Sequence, residues 1–288
     1  MTASSAEKAI TSPDWVALNP LAGVSGVGGV RVDYVGQGDA VSILDQDGRT
    51  ILRIDYGGRE SRPFSVRPLA RRQAEIDMNL PVLKGDRIFL THWDEDHWCS
   101  AGKTSQAGRK GRWLTPRQWT SPRAAMTAAR MNWVRCIPRH LERTPIRFLA
   151  LNGDELWVEK LQHFDAATVG EDCNLTGVAF SLVQKATGRV ILLPGDAPVH
   201  RVPHYARYVA GTHDLLGLVA YHHGSHTHWA NKTHSYLNQW GALYDVIVAF
   251  SCGDPNSFNH PDLSNYWTAL PRAQLIRTAQ GAPVRISF

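Results

Sequence analysis

The sequence predicts an α/β (α+β) protein, a two-layered β-sandwich flanked by helices and folded as one domain. Two observations lead there. Short apolar stretches of strand length recur along the 288 residues, bounded by glycine, proline and asparagine turns. Helical signals fall between them, so the order is strands and helix, then strands and helix again. With 43% hydrophobic and 20% charged residues the chain is globular rather than disordered.

Residues 1–25 open with MTASSAEKAITSPDW and read as a flexible polar tail ahead of a domain at 26–288. That start lacks the basic residues and apolar stretch of a secretory signal, and no apolar run is long enough to span a bilayer. The expected setting is the cytoplasm, with no membrane partner. Alternation at Val30–Val35, Ala40–Leu44 and Thr50–Asp55, with a turn at Gly48, predicts a β-meander. A second strand-rich region runs from Phe148 to Leu193. Ser121 and Pro122 mark a helix start, Pro198 opens a helical segment that Pro203 bends or delays, and Pro261-Asp262 starts a helix that Pro271 ends. Two short strands around Gly281 close the chain.

Four scattered cysteines without CxxC spacing exclude a disulfide framework and a cysteine zinc knuckle. Cys99 reads as a small buried side chain. The net charge is +5, concentrated between Lys103 and Arg147, where eleven Lys or Arg face one acid, Glu142. Trp113, Trp119 and Trp133 lie in the same stretch. Cations interleaved with flat aromatics suit phosphates and stacked bases, although a solvated basic face has the same composition.

The segment Thr91-His92-Trp93-Asp94-Glu95-Asp96-His97 carries the chemistry. It follows the apolar strand Ile88-Phe89-Leu90, so His92, Asp94, Asp96 and His97 sit where a strand meets a loop. Imidazole nitrogen and carboxylate oxygen are good zinc or manganese ligands. Two more strands end in ligand types: Val190–Leu193 runs into Asp196, and Leu216–Tyr221 into His222 and His223. Together the three segments predict a dinuclear site bridged by Asp196.

These residues resemble the HxHxDH signature of the metallo-β-lactamase superfamily, with Asp94 in place of the middle histidine. The HxDxDH variant is similar to the metallo-β-lactamase domain of ComEC-type DNA-uptake (competence) proteins. Val35–Ala40 (VGQGDA), Asp55–Gly58, Leu193–Asp196, His222–Ser225 (HHGS), Asn259–Pro261 and Ile276–Thr278 match that family in order, over residues 30 to 288. The resemblance implies a four-layered αββα sandwich with two divalent metal ions, Zn2+ or Mn2+, at the strand ends. It implies ligation by His92, Asp94, Asp96, His97, Asp196, His222 and His223. Asp96 and His260 are the expected catalytic residues, His260 serving the leaving group, and Gln37, Asp39 and Asp55 brace the ligands from behind. Asn174, Ser225 and Arg112 are candidate substrate contacts, with Asn174 equally suited to stabilising its turn. His226 and His228 are expected to face solvent or stand behind the ligands. The channel segments of the competence proteins are missing, and the stretch at 103–147 resembles a basic insertion. A further histidine ligand of the superfamily has no clear counterpart, His163 being the nearest.

A metal pair lowers the pKa of a bound water from about 15.7 toward about 7, so a hydroxide is available at neutral pH. The leading expectation is a metal-dependent phosphodiesterase or nuclease acting on DNA. The alternatives are a hydrolase of a small phosphodiester, nucleotide or ester, and a non-catalytic scaffold that binds nucleic acid or a partner. β-Lactam hydrolysis is not expected, since the chain lacks an export signal and its ligand set differs. Oligomeric state is not encoded in any pattern here.

Overall fold

The computed structural model describes residues 19–36, 38–58, 86–102, 107–137, 145–161, 173–210, 213–226, 229–241, 245–253, 260–278 and 282–288. The meander forms as expected: β1 (Val27–Val32), β2 (Val41–Asp45) and β3 (Thr50–Ile54) pair antiparallel, turning at Gly48 with φ +81°. β4 (Arg87–Phe89), β5 (Arg112–Thr115) and β6 (Trp133–Cys136) then add in parallel. The second sheet grows from β7 (Ile146–Leu149), β8 (Glu155–Lys160), β9 (Val178–Val183) and β10 (Arg189–Leu193), all antiparallel. It continues in parallel through β11 (Asp214–Val219), β12 (Ile247–Phe250) and β13 (Gln274–Arg277). The last strand, β14 (Val284–Ser287), returns to the first sheet beside β1. Each sheet therefore has seven strands and changes from antiparallel to parallel half-way across.

The two sheets pack face to face through Val30, Ile43, Leu52 and Phe89 on one side and Phe148, Phe180, Leu182 and Ile191 on the other. Phe89 meets both Phe148 and Phe180, with ring centroids 6.2 and 6.0 Å away. Side chains alternate along a strand. In β10, Ile191 and Leu193 therefore face the partner sheet while Val190 and Leu192 face outward. Helices cover that outer face: α5 (Tyr205–Ala210), α6 (Asn231–Gly241) and α7 (Leu263–Ala269) supply Tyr205, Leu237 and Tyr266. On the other outer face Ile88 and Trp113 pack with Trp98 of α1 (Glu95–Trp98) and Ala124 of α3 (Pro122–Ala129), beyond the short α2 (Ala107–Lys110). This is the four-layered αββα sandwich.

Ser121 caps α3, its hydroxyl accepting from Ala124 N–H at 3.2 Å, and Asp262 caps α7. Pro203 delays its helix: a 3-10 turn at Val199–Arg201 precedes α5. One expectation is corrected. The tail does not extend to residue 25, because Leu21 is fully buried in the core between the sheets. Within the stretch expected as a basic insertion, β5 and β6 belong to the first sheet and β7 starts the second. Arg112, Arg135 and Arg147 are exposed on these strands. Among the described residues no helix is long and apolar enough to cross a membrane.

Candidate metal centre

Parallel strands point their C-terminal ends the same way, and ligands gather there in open α/β sheets. In the first sheet β3 runs into Asp55, and β4 into the loop and helix α1 that carry His92, Asp94, Asp96 and His97. In the second, β10 runs into Asp196, β11 into His222 and His223, and β12 into Ser251. Glycines let these segments touch. A Cβ at Gly57 would stand 1.7 Å from the Asp96 carbonyl, and one at Gly38 would stand 2.3 Å from it. The N–H groups of Asp39 and Gly58 donate to that carbonyl, and that of Tyr56 to the His97 carbonyl at 2.8 Å. The GQGDA and Asp-x-Gly segments thus form the seat of α1.

Asp196 stands at the middle, its two oxygens facing two groups of donors. Oδ2 faces His92 Nε2 at 3.5 Å and His222 Nε2 at 3.9 Å, and His92 Nε2 also faces Asp94 Oδ2 at 3.5 Å. Oδ1 faces His97 Nε2 at 3.3 Å and His223 Nε2 at 3.9 Å, and His223 Nε2 meets Asp96 Oδ2 at 3.1 Å. With metal–nitrogen and metal–oxygen bonds of about 2.0–2.1 Å, neighbouring atoms of a tetrahedral site lie about 3.3–3.4 Å apart. The shorter separations match the edges of such a site.

Each of three rings is fixed by its other nitrogen. Thr91 Oγ1 and N–H donate to the Asp55 carboxylate, both at 2.7 Å, which leaves Oγ1 to accept from His92 Nδ1 at 3.0 Å. His97 Nδ1 donates to Asp55 Oδ2 at 2.7 Å. His223 Nδ1 donates to the Ser251 carbonyl at 2.9 Å. All three Nε2 atoms are thereby turned toward Asp196, in the arrangement that metal-ligating histidines adopt. Among the described residues His92 Nε2, His97 Nε2 and Asp196 Oδ1 are buried without a hydrogen-bond partner. Orphaned polar atoms of this kind are costly, and two metal ions would satisfy them.

Electrostatics follows from the crowding. Burial works against the charged form of His97, but Asp196 and Asp55 outweigh it and raise its pKa well above the usual histidine value. His92 is pushed up to about 9: burial and His97 oppose the shift, and Asp196 and Asp94 carry it. Burial raises the Asp196 pKa, and the three histidines more than reverse it. Without metal, protons hold the charge balance of the centre, and metal binding has to displace them.

Asp55 lies behind the ring of His97, as expected. Asp39 does too: its oxygens come within 4.0 Å of His97 Nδ1 and 3.5 Å of His223 Nδ1. It also falls within 4.8 Å of a four-residue cluster with His97, Asp196 and His223. Because it faces the Nδ1 sides of both rings, we assign it to bracing. Asn174 is the second residue of the short α4 (Cys173–Thr176) and is buried, and Ser225 is buried, its N–H donating to the His222 carbonyl. His260 sits at the rim with its ring centroid 5.9 Å from that of His222. Arg112 is not brought to the site. It pairs with Arg87 at the start of β4, five residues before His92, which puts it roughly 16 Å away at about 3.3 Å per residue. Gln37, Asn259, His163 and His228 lie outside the described residues, whereas His226 is exposed. Cys99 is buried, its thiol directed at the Gly58 carbonyl.

Sequence reading missed three participants. Thr91, Gln118 and the Ser251 carbonyl carry no metal-ligand signature, and each enters through pairing with a distant segment. Cys173 carries no such signature either, yet its Sγ lies 2.8 Å from Asp94 Oδ1.

No family model matches this chain, and no curated protein matches it. Solved structures do. The E377D mutant of the CmlA beta-hydroxylase is similar over the whole of this chain and 60% of its own, with a TM-score of 0.46 and 13% identity. CmlA, a diiron beta-hydroxylase from Streptomyces venezuelae, is similar over 91% of this chain and 54% of its own, with a TM-score of 0.39 and 11% identity. The chain thus spans little more than half the length of these proteins.

Proposed function

We propose that this chain is a metal-dependent hydrolase with a dinuclear centre, acting on phosphodiesters, with DNA the favoured substrate. One observation carries the metal reading: three buried imidazoles, each fixed through Nδ1, present Nε2 to the two oxygens of a single carboxylate. His92, Asp94, His222 and Asp196 Oδ2 form one half-site; Asp96, His97, His223 and Asp196 Oδ1 form the other. When bound, such a pair polarises a phosphoryl oxygen and lowers the pKa of water.

The chain's own residues do the rest. Asp196 holds the half-sites at a fixed separation, and Asp55 and Thr91 keep two imidazoles aligned. His260 has its pKa lowered to about 4 by burial and by the neighbouring His223 and His222. It is therefore a neutral imidazole at pH 7, able to donate one N–H to a leaving oxygen. The phosphodiester reading is supported by what flanks the centre. Arg123 of α3 pairs with Glu95 beside the ligands at 2.6 Å. Gln118 bonds the ligand loop through Trp93 N–H at 3.0 Å. Its neighbours Arg117 and Trp119, the latter exposed, therefore stand at the same end of the sheet. A cation and a flat ring beside a metal pair suit a nucleotide strand.

The test compares wild-type protein with Asp96→Ala on single- and double-stranded DNA, with zinc or manganese added or chelated. Zinc, manganese and iron in the purified protein are measured together, because this donor set suits all three. Metal-dependent cleavage that disappears in Asp96→Ala supports the proposal. Two bound metals with intact DNA would move the assignment to a small phosphodiester, nucleotide or ester. No bound metal would overturn it and leave the scaffold.

A further inference from the structure

We infer that Cys173 is a thiolate ligand of the half-site formed by His92 and Asp94, an inference that rests on the dinuclear reading. Cys173 lies 79 residues from Asp94, across the sandwich, yet its Sγ is 2.8 Å from Asp94 Oδ1. One donor atom each of His92, Asp94 and Cys173 falls within 4.8 Å of the other two. Into the same space points His92 Nε2, buried and without a hydrogen-bond partner among the described residues. Any ion that satisfies this nitrogen beside Asp94 therefore sits within reach of the thiol. An ion at the centre of the three satisfies all of them.

The surrounding backbone holds this contact in place. Gln118 spans the two loops: its Oε1 accepts from Trp93 N–H, and its Nε2 donates to the Cys173 carbonyl and to Thr176 Oγ1 at 2.8 Å. A Cβ at Gly177 would stand 2.8 Å from the Thr91 carbonyl and 3.2 Å from His92 Cβ, so glycine allows the cysteine turn to press against the ligand loop. Val178 N–H donates to that same Thr91 carbonyl at 2.8 Å. These contacts hold Cys173 opposite His92.

On binding, the S–H bond breaks, its electron pair forms the metal–sulfur bond of about 2.3 Å and the proton passes to solvent. The two half-sites then differ. One has nitrogen, oxygen and sulfur donors and favours zinc, cobalt or iron; the other has only nitrogen and oxygen and tolerates manganese. Asp196 joins a softer position to a harder one.

The experiment loads metal-free wild type, Cys173→Ser and Cys173→Ala with cobalt(II), then records the near-ultraviolet spectrum and bound cobalt. We expect a sulfur-to-cobalt charge-transfer band in wild type only. Both variants should keep one tightly bound cobalt, and the other should weaken by at least the ~10–100-fold seen for partners one layer further out. Cobalt should also protect Cys173, but not the exposed Cys136, from alkylation read by mass spectrometry. Two bound cobalt ions without the band, or a band that persists in Cys173→Ser, would overturn the thiolate and leave the dinuclear centre standing. No bound cobalt in wild type would overturn both.

Discussion

Replacing Asp55 by asparagine changes one oxygen for an amide nitrogen and removes one charge, with little change in shape. The carboxylate accepts from three donors: Thr91 N–H on Oδ1, and Thr91 Oγ1 and His97 Nδ1 on Oδ2, each at 2.7 Å. An asparagine amide cannot replace it in either orientation. With Nδ2 at the Oδ2 position it faces the Thr91 hydroxyl and the His97 N–H; with Nδ2 at Oδ1 it faces the Thr91 N–H. Losing a charge-assisted bond costs about 1.5–3 kcal/mol. That agrees with the ~10–100-fold loss of metal affinity typical when the partner of a ligating histidine is removed.

The loss should be larger at the Asp96–His223 half-site, whose His97 Asp55 holds directly, than at the other, which Asp55 reaches only through Thr91 and His92. Titration against a chromophoric chelator resolves the two affinities. Asp55 also has φ +60°, a conformation asparagine tolerates and alanine does not. Asp55→Ala should therefore lose a further ~1–2 kcal/mol of folding stability in thermal melts. Wild-type affinity at both positions in Asp55→Asn would refute the steering of His97 and the ligand assignment built on it.

Other outcomes follow from the same geometry. Asp196→Asn should abolish binding of both metal equivalents, whereas His92→Ala should lose one, as read by metal analysis after dialysis. The metal-free protein should lose stability as pH rises from 6.5 to about 9, because His92 has its pKa raised to about 9. The stabilisation from its protonation is complete below the unfolded value and disappears through the folded one. Over that window metal affinity should rise, and melting curves with and without metal test both statements. Gly57→Ala should displace α1 and cost about 1–3 kcal/mol or more, its Cβ colliding with the Asp96 carbonyl. If DNA is the substrate, Arg117→Ala should lower the slope of log affinity against log salt by about one, measured by fluorescence anisotropy, while Arg112→Ala, at the far end of β5, should leave cleavage unchanged.

Much of the centre was legible because its ligands follow apolar strands directly. Ile88–Leu90 announces His92 through His97, and Val190–Leu193 announces Asp196, since a buried strand must end where the chain reaches a polar surface. The αββα layering was legible for a related reason: β10 is apolar from Val190 to Leu193 because both its faces are covered there. What stayed hidden depends on pairing between distant segments. Nothing local tells Cys173 that Asp94 lies opposite, or Thr91 that it will link Asp55 to His92. The strands inside the basic stretch are hard to see because charge dominates its composition and Arg112–Thr115 and Trp133–Cys136 are only four residues long. α6, with polar Asn, Lys, Thr, His and Gln through its length, offered no clear periodic stripe.

Backbone strain ties these observations together. Among the described residues the non-glycine positions with positive φ are Asp55, His222 and His223. Such conformations cost of order 1–3 kcal/mol each and persist only where surrounding structure over-determines them. Asp55 follows β3 and the histidine pair follows β11, so the strain falls in opposite sheets at the same end of the sandwich. For His222 and His223 the consequence is a split: adjacent in sequence, they turn to opposite oxygens of Asp196. An extended strand would also send neighbouring side chains to opposite faces, but it would carry them along β11 and away from the carboxylate. Two consecutive left-handed residues instead fold the chain back, and the His222 N–H reaches the Gly195 carbonyl just before Asp196. The cost of that turn is what allows one carboxylate and one histidine pair to serve two half-sites. In the proposed centre metal binding would compensate strain already present in the fold, so a variant that relaxes it, such as His222→Gly, should fold more stably without metal while binding it less well.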